Sequence, residues 1–459
     1  MRRVILTCLF SFYSLSSLAS LSLSEIERSI DLHYPLILSN LKELESAQAQ
    51  VISAEGNFDI NFSAQAGFKE RTLGDQEVLS TTFGGKTKLM GLSWETGFSK
   101  GAGYFPSYEG ERKTFQDGEW LAQVKMPLLK NFWIDKERMH LKKSKIEVAK
   151  TQQELKSQKL QVLLEGTVAY WNWVKACLKY KVYESLLSNA LKREDNLASR
   201  FKNGDVSGIL KLDNDRLILK RKSYLVSAEQ EVTRAALILS LFSRDEQGQP
   251  KLIEPKDAPL NLEVKKYQDI LNEITAKNFP IAEHPLVKKN ENLLEKIKIE
   301  KDLAKNQILP QLDVKSEYNR SLGEARSNVS RDEFKTSIVF SIPLQNREAQ
   351  GQHNSLKFQA DKIYYEWQLV QEQLKVKQQN ALLSLKMAYE RQLLAKQELD
   401  LNKTLESAEN RRLQMGDSDL VTVNIREEST AESESRFIEE QVEYQKSIGY
   451  LHYAYAIGI

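Results

Sequence analysis

Two segments of the chain alternate between apolar and polar residues, which is typical of strands with one apolar and one polar face. The first runs from Phe58 to Phe68, and the second from Phe334 to Ile342. The first segment matches the length that a tilted strand needs to cross a bilayer. The residues predicted to face lipid are Phe58, Ile60, Phe62, Phe334, Ile338 and Phe340.

Two further segments, Met90–Phe98 and Trp120–Met126, alternate in the same way. Helical patterns precede and follow this part of the chain, so a membrane sheet here needs an even number of crossings. The three segments before Pro127 do not satisfy that requirement. The middle segment is therefore either part of an extended hairpin above the membrane or the neighbour of a strand that the pattern does not reveal. We favour the hairpin.

Two long helical runs follow the alternating segments. The first extends from Pro127 to Gly204 and the second from Pro343 to Gly416, and their lengths differ by about one helical turn. In the first run, apolar residues recur every three or four positions, as in a coiled-coil seam: Leu164, Val168, Trp171, Val174, Leu178 and Val182. At about 1.5 Å per residue, each run predicts a rod on the order of 100 Å long.

The order of elements is repeated, which indicates an internal duplication. His33-Tyr34-Pro35-Leu36 has a counterpart in His284-Pro285-Leu286, and each half ends in a helix that returns from a glycine turn. The first repeat is predicted over residues 20–244 and the second over 281–459, with an equatorial linker at 245–280. The expected elements are barrel strands within 57–128 and 310–344, long helices at 130–203 and 346–415, and return helices at 206–242 and 419–455.

The N-terminus has the pattern of a secretory signal peptide over residues 1–19. Arg2 and Arg3 precede an apolar run, and Ser17-Leu18-Ala19 supplies small residues for cleavage. No later segment reaches the ~20 apolar residues of a membrane helix. Cys177 is then the one cysteine of the mature chain, so an internal disulfide is not expected.

Composition and motifs argue against catalysis and against nucleic acid as a partner. The 65 basic residues nearly balance the 63 acidic ones. The five histidines are dispersed, and neither a phosphate-binding loop nor a nucleophile elbow is present. Gly416-Asp417-Ser418-Asp419 lacks the downstream Glu of a calcium loop, so we interpret it as a helix cap. We expect no enzyme activity, cofactor, metal site or catalytic residue.

The strands predict an assembly of several chains. An open sheet edge cannot face lipid, because each unsatisfied backbone group costs several kcal/mol there. Four or so strands are too few to close a barrel around a channel. In its order of elements the chain resembles the TolC family of outer-membrane efflux channels. Val124-Lys125-Met126-Pro127-Leu128 and Phe340-Ser341-Ile342-Pro343-Leu344 resemble the strand-to-helix junctions of that family, and Arg200-x-x-x-Gly204 and Arg412-x-x-x-Gly416 resemble its helical tips.

The resemblance implies an α+β membrane protein: a homotrimeric β-barrel of twelve strands, four per chain, continued by a coiled-coil α-helical barrel. Such a protein would lie in the outer membrane lipid and extend into the periplasm. It would be a passive conduit for efflux or type I secretion, served by an inner-membrane pump through a periplasmic adaptor. The tips expected to dock the adaptor carry Arg200, Asn203, Gly204, Asp205, Arg412, Met415, Gly416 and Asp417.

Two departures from the family pattern are visible. The first strand region, from Pro35 to Pro127, is much longer than the second, from Pro285 to Pro343, and the simplest four-strand form does not explain the excess. Some family members constrict the tunnel with aspartates six and nine residues after the second tip glycine, where this chain has Thr422 and Ile425. The candidate gate acids nearby are Asp213, Asp215, Asp417 and Asp419, for which helix capping and solvation are the favoured interpretation.

An alternative function is a periplasmic coiled-coil scaffold or adaptor without a membrane barrel. It would require the alternating segments to form soluble sheets.

Overall fold

A computed structural model describes residues 21–70, 75–103, 114–203, 207–259, 265–277, 280–324 and 331–457. The predicted signal peptide lies outside these ranges. Eight α-helices occur in the described residues: α1 Leu23–His33, α2 Pro35–Glu55, α3 Lys136–Lys202, α4 Gly208–Ser240, α5 Tyr267–Lys277, α6 Pro285–Gln307, α7 Arg347–Met415 and α8 Leu420–Ala454. None of them, within those ranges, has an apolar stretch long enough to cross a bilayer.

The strands form one antiparallel sheet in which neighbours in sequence are neighbours in space. They are β1 Asn61–Lys69, β2 Gln76–Lys86, β3 Ser93–Gly103, β4 Gly118–Pro127, β5 Gln311–Leu322 and β6 Asp332–Ser341. The helices α3 to α6 lie between β4 and β5 in sequence. Because the order is consecutive and six is even, β1 and β6 run in opposite directions.

The expectation of about four strands is wrong, since the described residues contain six. The middle alternating segment is not a separate hairpin. As β3, it pairs with β2 from Ser93 to Gly103 and with β4 from Ser93 to Ser99. The unrecognised partner is β2, and the hairpin of β2 and β3 accounts for the extra length of the first strand region.

The chain divides into two compact units, each of which takes segments from both predicted repeats. One unit comprises residues 1–39, 156–284 and 373–459; the other comprises 40–155 and 285–372. In the first unit, α5, α7 and α8 share an apolar cluster that includes Ile270, Leu385 and Leu451. In the second, which contains the whole sheet, Ile297 of α6 packs with Ala360 and Ile363 of α7.

Candidate membrane sheet and helix tips

The strand register collects the large apolar side chains on one face of the sheet. Phe62 lies opposite Phe83, Phe98 opposite Trp120, and Tyr318 opposite Phe334. Charged residues on this face are confined to the strand ends remote from the helices, at Glu77, Lys100, Arg320 and Asp332. The main apolar residues of the face are Phe62, Ala64, Ala66, Phe68, Leu79, Phe83, Trp94, Phe98, Trp120, Ala122, Val124, Leu312, Val314, Tyr318, Phe334, Ile338 and Phe340.

The opposite face carries glycines, hydroxyls, amides and paired charges. Lys125 Nζ lies 3.0 Å from the buried carboxylate of Asp313, and Lys315 Nζ lies 3.2 Å from Glu317. Further polar residues on this face are Ser63, Gln65, Thr82, Glu95, Glu119, Gln123, Asn319, Glu333 and Lys335. A sheet with one apolar and one polar face is suited to separate lipid from water.

Most of the residues predicted to face lipid lie on the apolar face. Phe62, Phe334, Ile338 and Phe340 are in β1 or β6 and are more than half exposed, and the exposed Ile60 directly precedes β1. The assignment of Phe58 to a strand is wrong. Residues Gly56–Phe58 form a 3₁₀ turn, which the Asn57 side chain holds by donating to the Ala54 carbonyl.

The two outer strands, β1 and β6, each lack a neighbour on one side among the described residues. All nine residues of β1 and nine of the ten in β6 are exposed. Soluble proteins protect such edges with bulges, prolines or frequent charges. Here both registers are continuous and neither strand contains a proline. Lys69 is the one charge in β1, and the charges of β6, at Asp332, Glu333 and Lys335, are confined to its first four residues.

The turn between β2 and β3 is fixed to the junction between β4 and α3. Lys86 Nζ lies 2.6 Å from Glu137 and 3.6 Å from Asp135. Asp135 also accepts from Arg138, which donates to the Asn131 carbonyl at 2.6 Å. Gly91 adopts a φ of +67°, and a Cβ there would lie 2.7 Å from the Asn131 carbonyl oxygen. The extra hairpin is therefore an integral part of this sheet.

The tip of the second repeat has the geometry of a Schellman cap. Gly416 has a φ of +84°. Its N–H donates to the Leu413 carbonyl at 3.1 Å, and the Asp417 N–H donates to the Arg412 carbonyl at 2.9 Å. These are the two hydrogen bonds that close a helix at a left-handed glycine. Arg412 closes the turn further by donating to the Asp417 carbonyl at 3.0 Å.

At the tip of the first repeat, the structure describes the end of α3 as far as Asn203. Arg200 is exposed in the last turn of α3, and the exposed Asn203 donates its N–H to the Ser199 carbonyl. Gly204 and Asp205 lie outside the described residues. At the other tip, Met415 is the last residue of α7 and, like Gly416 and Asp417, is exposed.

The chain is similar in fold to solved outer-membrane channels of low sequence identity. No family model matches the chain, and neither does any curated protein sequence. The outer membrane protein VceC from Vibrio cholerae is 14% identical and superposes with a TM-score of 0.65, covering 94% of this chain and 95% of VceC. The CmeC outer membrane channel of Campylobacter jejuni is 13% identical and superposes with a TM-score of 0.66. The match covers 100% of this chain and 94% of CmeC. The open state of the MtrE outer membrane channel of Neisseria gonorrhoeae is 11% identical and superposes with a TM-score of 0.66. The match covers 95% of this chain and 89% of MtrE.

The chain has the fold of the TolC-type outer-membrane channels. At these identities the likeness concerns the fold alone. Within the TolC-type fold, the described part of this chain combines a helical tip that ends at Gly416 with a six-stranded sheet.

The four candidate gate acids lie near the tips of this TolC-type fold in different settings. Asp419 caps α8, because its carboxylate accepts the Thr422 N–H at 2.7 Å, and this hydrogen bond holds the pKa of Asp419 below its usual value. Asp213 lies 3.6 Å from Arg216 on the same helix, and Asp417 is exposed. Asp215 is partly exposed on α4.

A buried charge cluster close to the tips was not predicted from the sequence. Glu427 of α8 accepts from Arg221 of α4 at 2.9 Å and from Arg193 of α3 at 2.5 Å. Arg221 also donates to the Leu186 carbonyl at 2.7 Å, and its side chain is 2% exposed. The one available signal was that Arg221 follows Leu217 and Ile218, and Glu427 follows Val423, at helical spacing on the buried faces of α4 and α8. The cluster joins three helices of the TolC-type tip region.

Proposed function

We propose that the chain is the outer-membrane channel of an efflux or type I secretion system. In this proposal it is a passive conduit, located in the outer membrane and extending into the periplasm. An inner-membrane pump supplies the energy, and a periplasmic adaptor joins the pump to the helical tips. The observation that carries the proposal is the two-faced sheet, combined with the fold shared with VceC, CmeC and MtrE.

The open edges of the sheet support assembly from several copies. In lipid each unpaired backbone group of β1 and β6 would cost several kcal/mol, and pairing β6 of one copy with β1 of the next removes that cost. The pairing is antiparallel, because β1 and β6 run in opposite directions. A homotrimer built in this way has a barrel of eighteen strands, in place of the twelve that four strands per chain would give.

The exposed tips are the proposed docking sites for the adaptor. Arg200, Asn203, Arg412 and Met415 are exposed, and the Schellman cap at Gly416 fixes the shape of one turn. The exposed acids Asp213 and Asp417 are suited to a cation-attracting ring at such an opening, whereas Asp419 is engaged in capping α8.

Purified protein tests the proposal in two steps. We expect an outer-membrane oligomer that survives SDS without boiling and dissociates on heating, and we expect stepwise conductance when this oligomer is added to a planar lipid bilayer. A monomer recovered from the soluble periplasmic fraction, without conductance, would contradict the channel and favour the coiled-coil scaffold.

A further inference from the structure

A cavity with a volume of about 770 Å³ lies in the compact unit that comprises residues 1–39, 156–284 and 373–459. Its lining residues all belong to this unit and come mainly from α1, α3, α5 and α8. Small-molecule sites in proteins typically have volumes of roughly 300–1,000 Å³. The cavity is therefore large enough to hold a small molecule, and the channel function proposed above does not use it.

Helical spacing gathers the lining residues of each helix on one face. On α1, Leu23, Glu27 and Asp31 follow one another at intervals of four residues. On α8 the lining residues recur every three or four positions from Gln445 to His452. Side chains at such intervals are neighbours on a helix surface, so each helix presents a continuous wall to the cavity.

Two glycines let these helices approach one another closely. A Cβ at Gly166 of α3 would lie 2.5 Å from Cδ1 of Ile30, a fully buried residue of α1. A Cβ at Gly449 of α8 would lie 3.1 Å from Cγ2 of Thr167 on α3. Both α1 and α8 are thus packed tightly against α3, and the cavity between them is pre-formed.

The walls of the cavity differ in chemistry. The carboxylates of Glu27 and Asp31 come from α1 and that of Glu273 from α5, while Lys265 precedes α5. The large apolar side chains come mainly from α3 and from the C-terminal part of the chain: Leu160, Leu163, Leu164, Trp171, Ile448 and Ile457. A ligand that fills the cavity would therefore meet a charged side and an apolar side.

Glu27 is the carboxylate of this cavity that needs a partner. Asp31 pairs with Lys159 at 3.0 Å, and Glu273 has an interaction of its own. In the described part of the chain, no hydrogen bond or ion pair engages the Glu27 side chain. Burial raises the pKa of Glu27 and the charge of Asp31 raises it further, against the opposing effect of Lys265. A cation bound beside Glu27 would stabilise its charged form.

This combination of walls fits an organic cation better than a metal ion or an anion. A metal ion of the calcium type needs several oxygen ligands, and the described residues contain no group of acids, histidines and cysteines arranged to hold one. An anion would face three carboxylates and one ammonium group. A bulky organic cation gains from the apolar wall and from the aromatic face of Trp171, because cations are attracted to tryptophan rings.

We propose that this cavity binds an amphiphilic organic cation, with its charge beside Glu27 and its apolar body against Trp171 and the leucines of α3. All the residues involved belong to one compact unit of a single chain. Binding therefore requires neither the membrane sheet nor a neighbouring copy, and the site goes beyond the channel function.

Two ions of equal shape and opposite charge test the site. Tetraphenylphosphonium is a cation that carries four phenyl groups, and tetraphenylborate is the corresponding anion. Isothermal titration calorimetry of the purified full-length protein, against matched detergent buffer, should show saturable binding of the cation. The anion should bind at least about tenfold more weakly, because it meets the carboxylates instead of pairing with one.

Two variants of the cavity and one control locate the binding. Glu27→Gln keeps the size of the side chain and should weaken cation binding about tenfold, as expected for a carboxylate about 6 Å from the bound charge at an effective dielectric constant near 40. Ser24→Trp, at an exposed lining position on α1, should block the cavity and abolish binding. The control Glu43→Gln changes an exposed glutamate of α2 that does not line the cavity, and it should retain the affinity of the unaltered protein.

The outcome separates this site from the channel function. Unchanged cation binding in Glu27→Gln, in protein with an unaltered thermal midpoint, would overturn the site. Equal binding of the two ions by the unaltered protein, or no saturable binding of the cation, would overturn it as well. Loss of binding confined to the two cavity variants supports the site, even in a preparation that fails to conduct and so refutes the channel.

Discussion

At the scale of single residues, the tip of the second repeat shows how far local chemistry is predictable. Gly416 follows a long periodic helix and precedes Asp417-Ser418-Asp419, and this order is typical of a cap followed by a new helix. The structure adds that Glu409, buried two turns before Gly416, accepts from Ser418 and from Arg412. The sequence offered no means to choose Glu409 among the many glutamates of α7, because the choice depends on how the turn folds back.

Replacing Gly416 by Ala should destabilise α7. The φ of +84° costs an L-residue about 1–2 kcal/mol, and a Cβ would meet nothing within 4 Å, so the cost is purely conformational. Gly351→Ala is the matched control in the same helix, also with open space, and it should stabilise by about 0.5–1 kcal/mol. Opposite shifts of the thermal midpoint, followed by circular dichroism, are expected. Equal shifts would contradict a left-handed cap at Gly416.

Replacing Glu427 by Gln should be costly because it leaves Arg221 buried without a counter-charge. The side chains of Arg221 and Glu427 are 2% and 6% exposed, and breaking such a buried pair costs about 3 kcal/mol or more. Glu231→Gln removes an exposed partner of Arg234 and should change stability by no more than about 0.5 kcal/mol. Denaturant unfolding of both variants measures the difference, and comparable small losses would show that the buried cluster is not stabilising.

Stability should fall in mild acid because of His284. Burial lowers the pKa of His284, and nearby Lys377 lowers it further, against the opposing effect of the Tyr453 carbonyl oxygen 3.4 Å from the ring. As the pH falls, the unfolded chain therefore binds a proton at His284 before the folded chain does, near pH 6.5. The stabilisation is complete above that pH and is lost progressively as the pH falls toward the lower folded pKa.

The slope of stability against pH between 7 and 5 measures this contribution. His284→Gln should flatten the slope, whereas His353→Gln, at a partly exposed position on α7, should retain it. An unchanged slope in His284→Gln would exclude this histidine as the source.

At the scale of elements, the long helices and the strands with clean alternation were predictable, whereas β2 was not. In β2 the apolar face carries Leu79, Thr81 and Phe83, but Val78 points to the polar face and Gly84-Gly85 ends the pattern. A strand of this kind is specified by its neighbours, since Phe62 and Phe98 supply the apolar contacts that its own residues lack. Contacts of that sort depend on register, which a single sequence does not reveal.

The faces of the sheet can be tested by a charge on either side of one strand. Ile338→Arg or Phe62→Arg places a cation on the apolar face, at a cost of roughly 2–4 kcal/mol at the bilayer midplane and less toward its edges. Their neighbours Ser337 and Ser63 lie on the polar face, and arginine at these positions should be tolerated. The yield of SDS-resistant oligomer from outer membranes measures insertion. Equal yields from both faces would contradict the proposed lipid side.

At the scale of the whole molecule, one copy leaves the two edges of its sheet unfinished. Among the described residues, β1 and β6 each lack a neighbour on one side. These strands run in opposite directions, so pairing β6 of one copy with β1 of the next can complete both edges. The TolC-type fold was predictable from the order of elements, but the number of strands was not. The size of the proposed barrel depends on that number.

The diameter of the barrel provides the final prediction. At a strand spacing of ~4.8 Å and a tilt of ~40°, eighteen strands give a backbone diameter of about 36 Å and twelve give about 24 Å. Three copies of the intact chain should form the wider barrel.

A deletion variant tests this number of strands. Joining Lys69 to Gly118 through a short glycine turn removes β2 and β3. In the shortened chain, β1 can take the place of β3 beside β4. The two strands run in the same direction, and both carry their apolar residues at even positions.

Electron microscopy of the purified oligomers, without imposed symmetry, should therefore show a reduction in diameter of about one third in the deletion variant. If the intact protein already had the narrower diameter of a twelve-stranded barrel, β2 and β3 would have to lie outside the barrel wall.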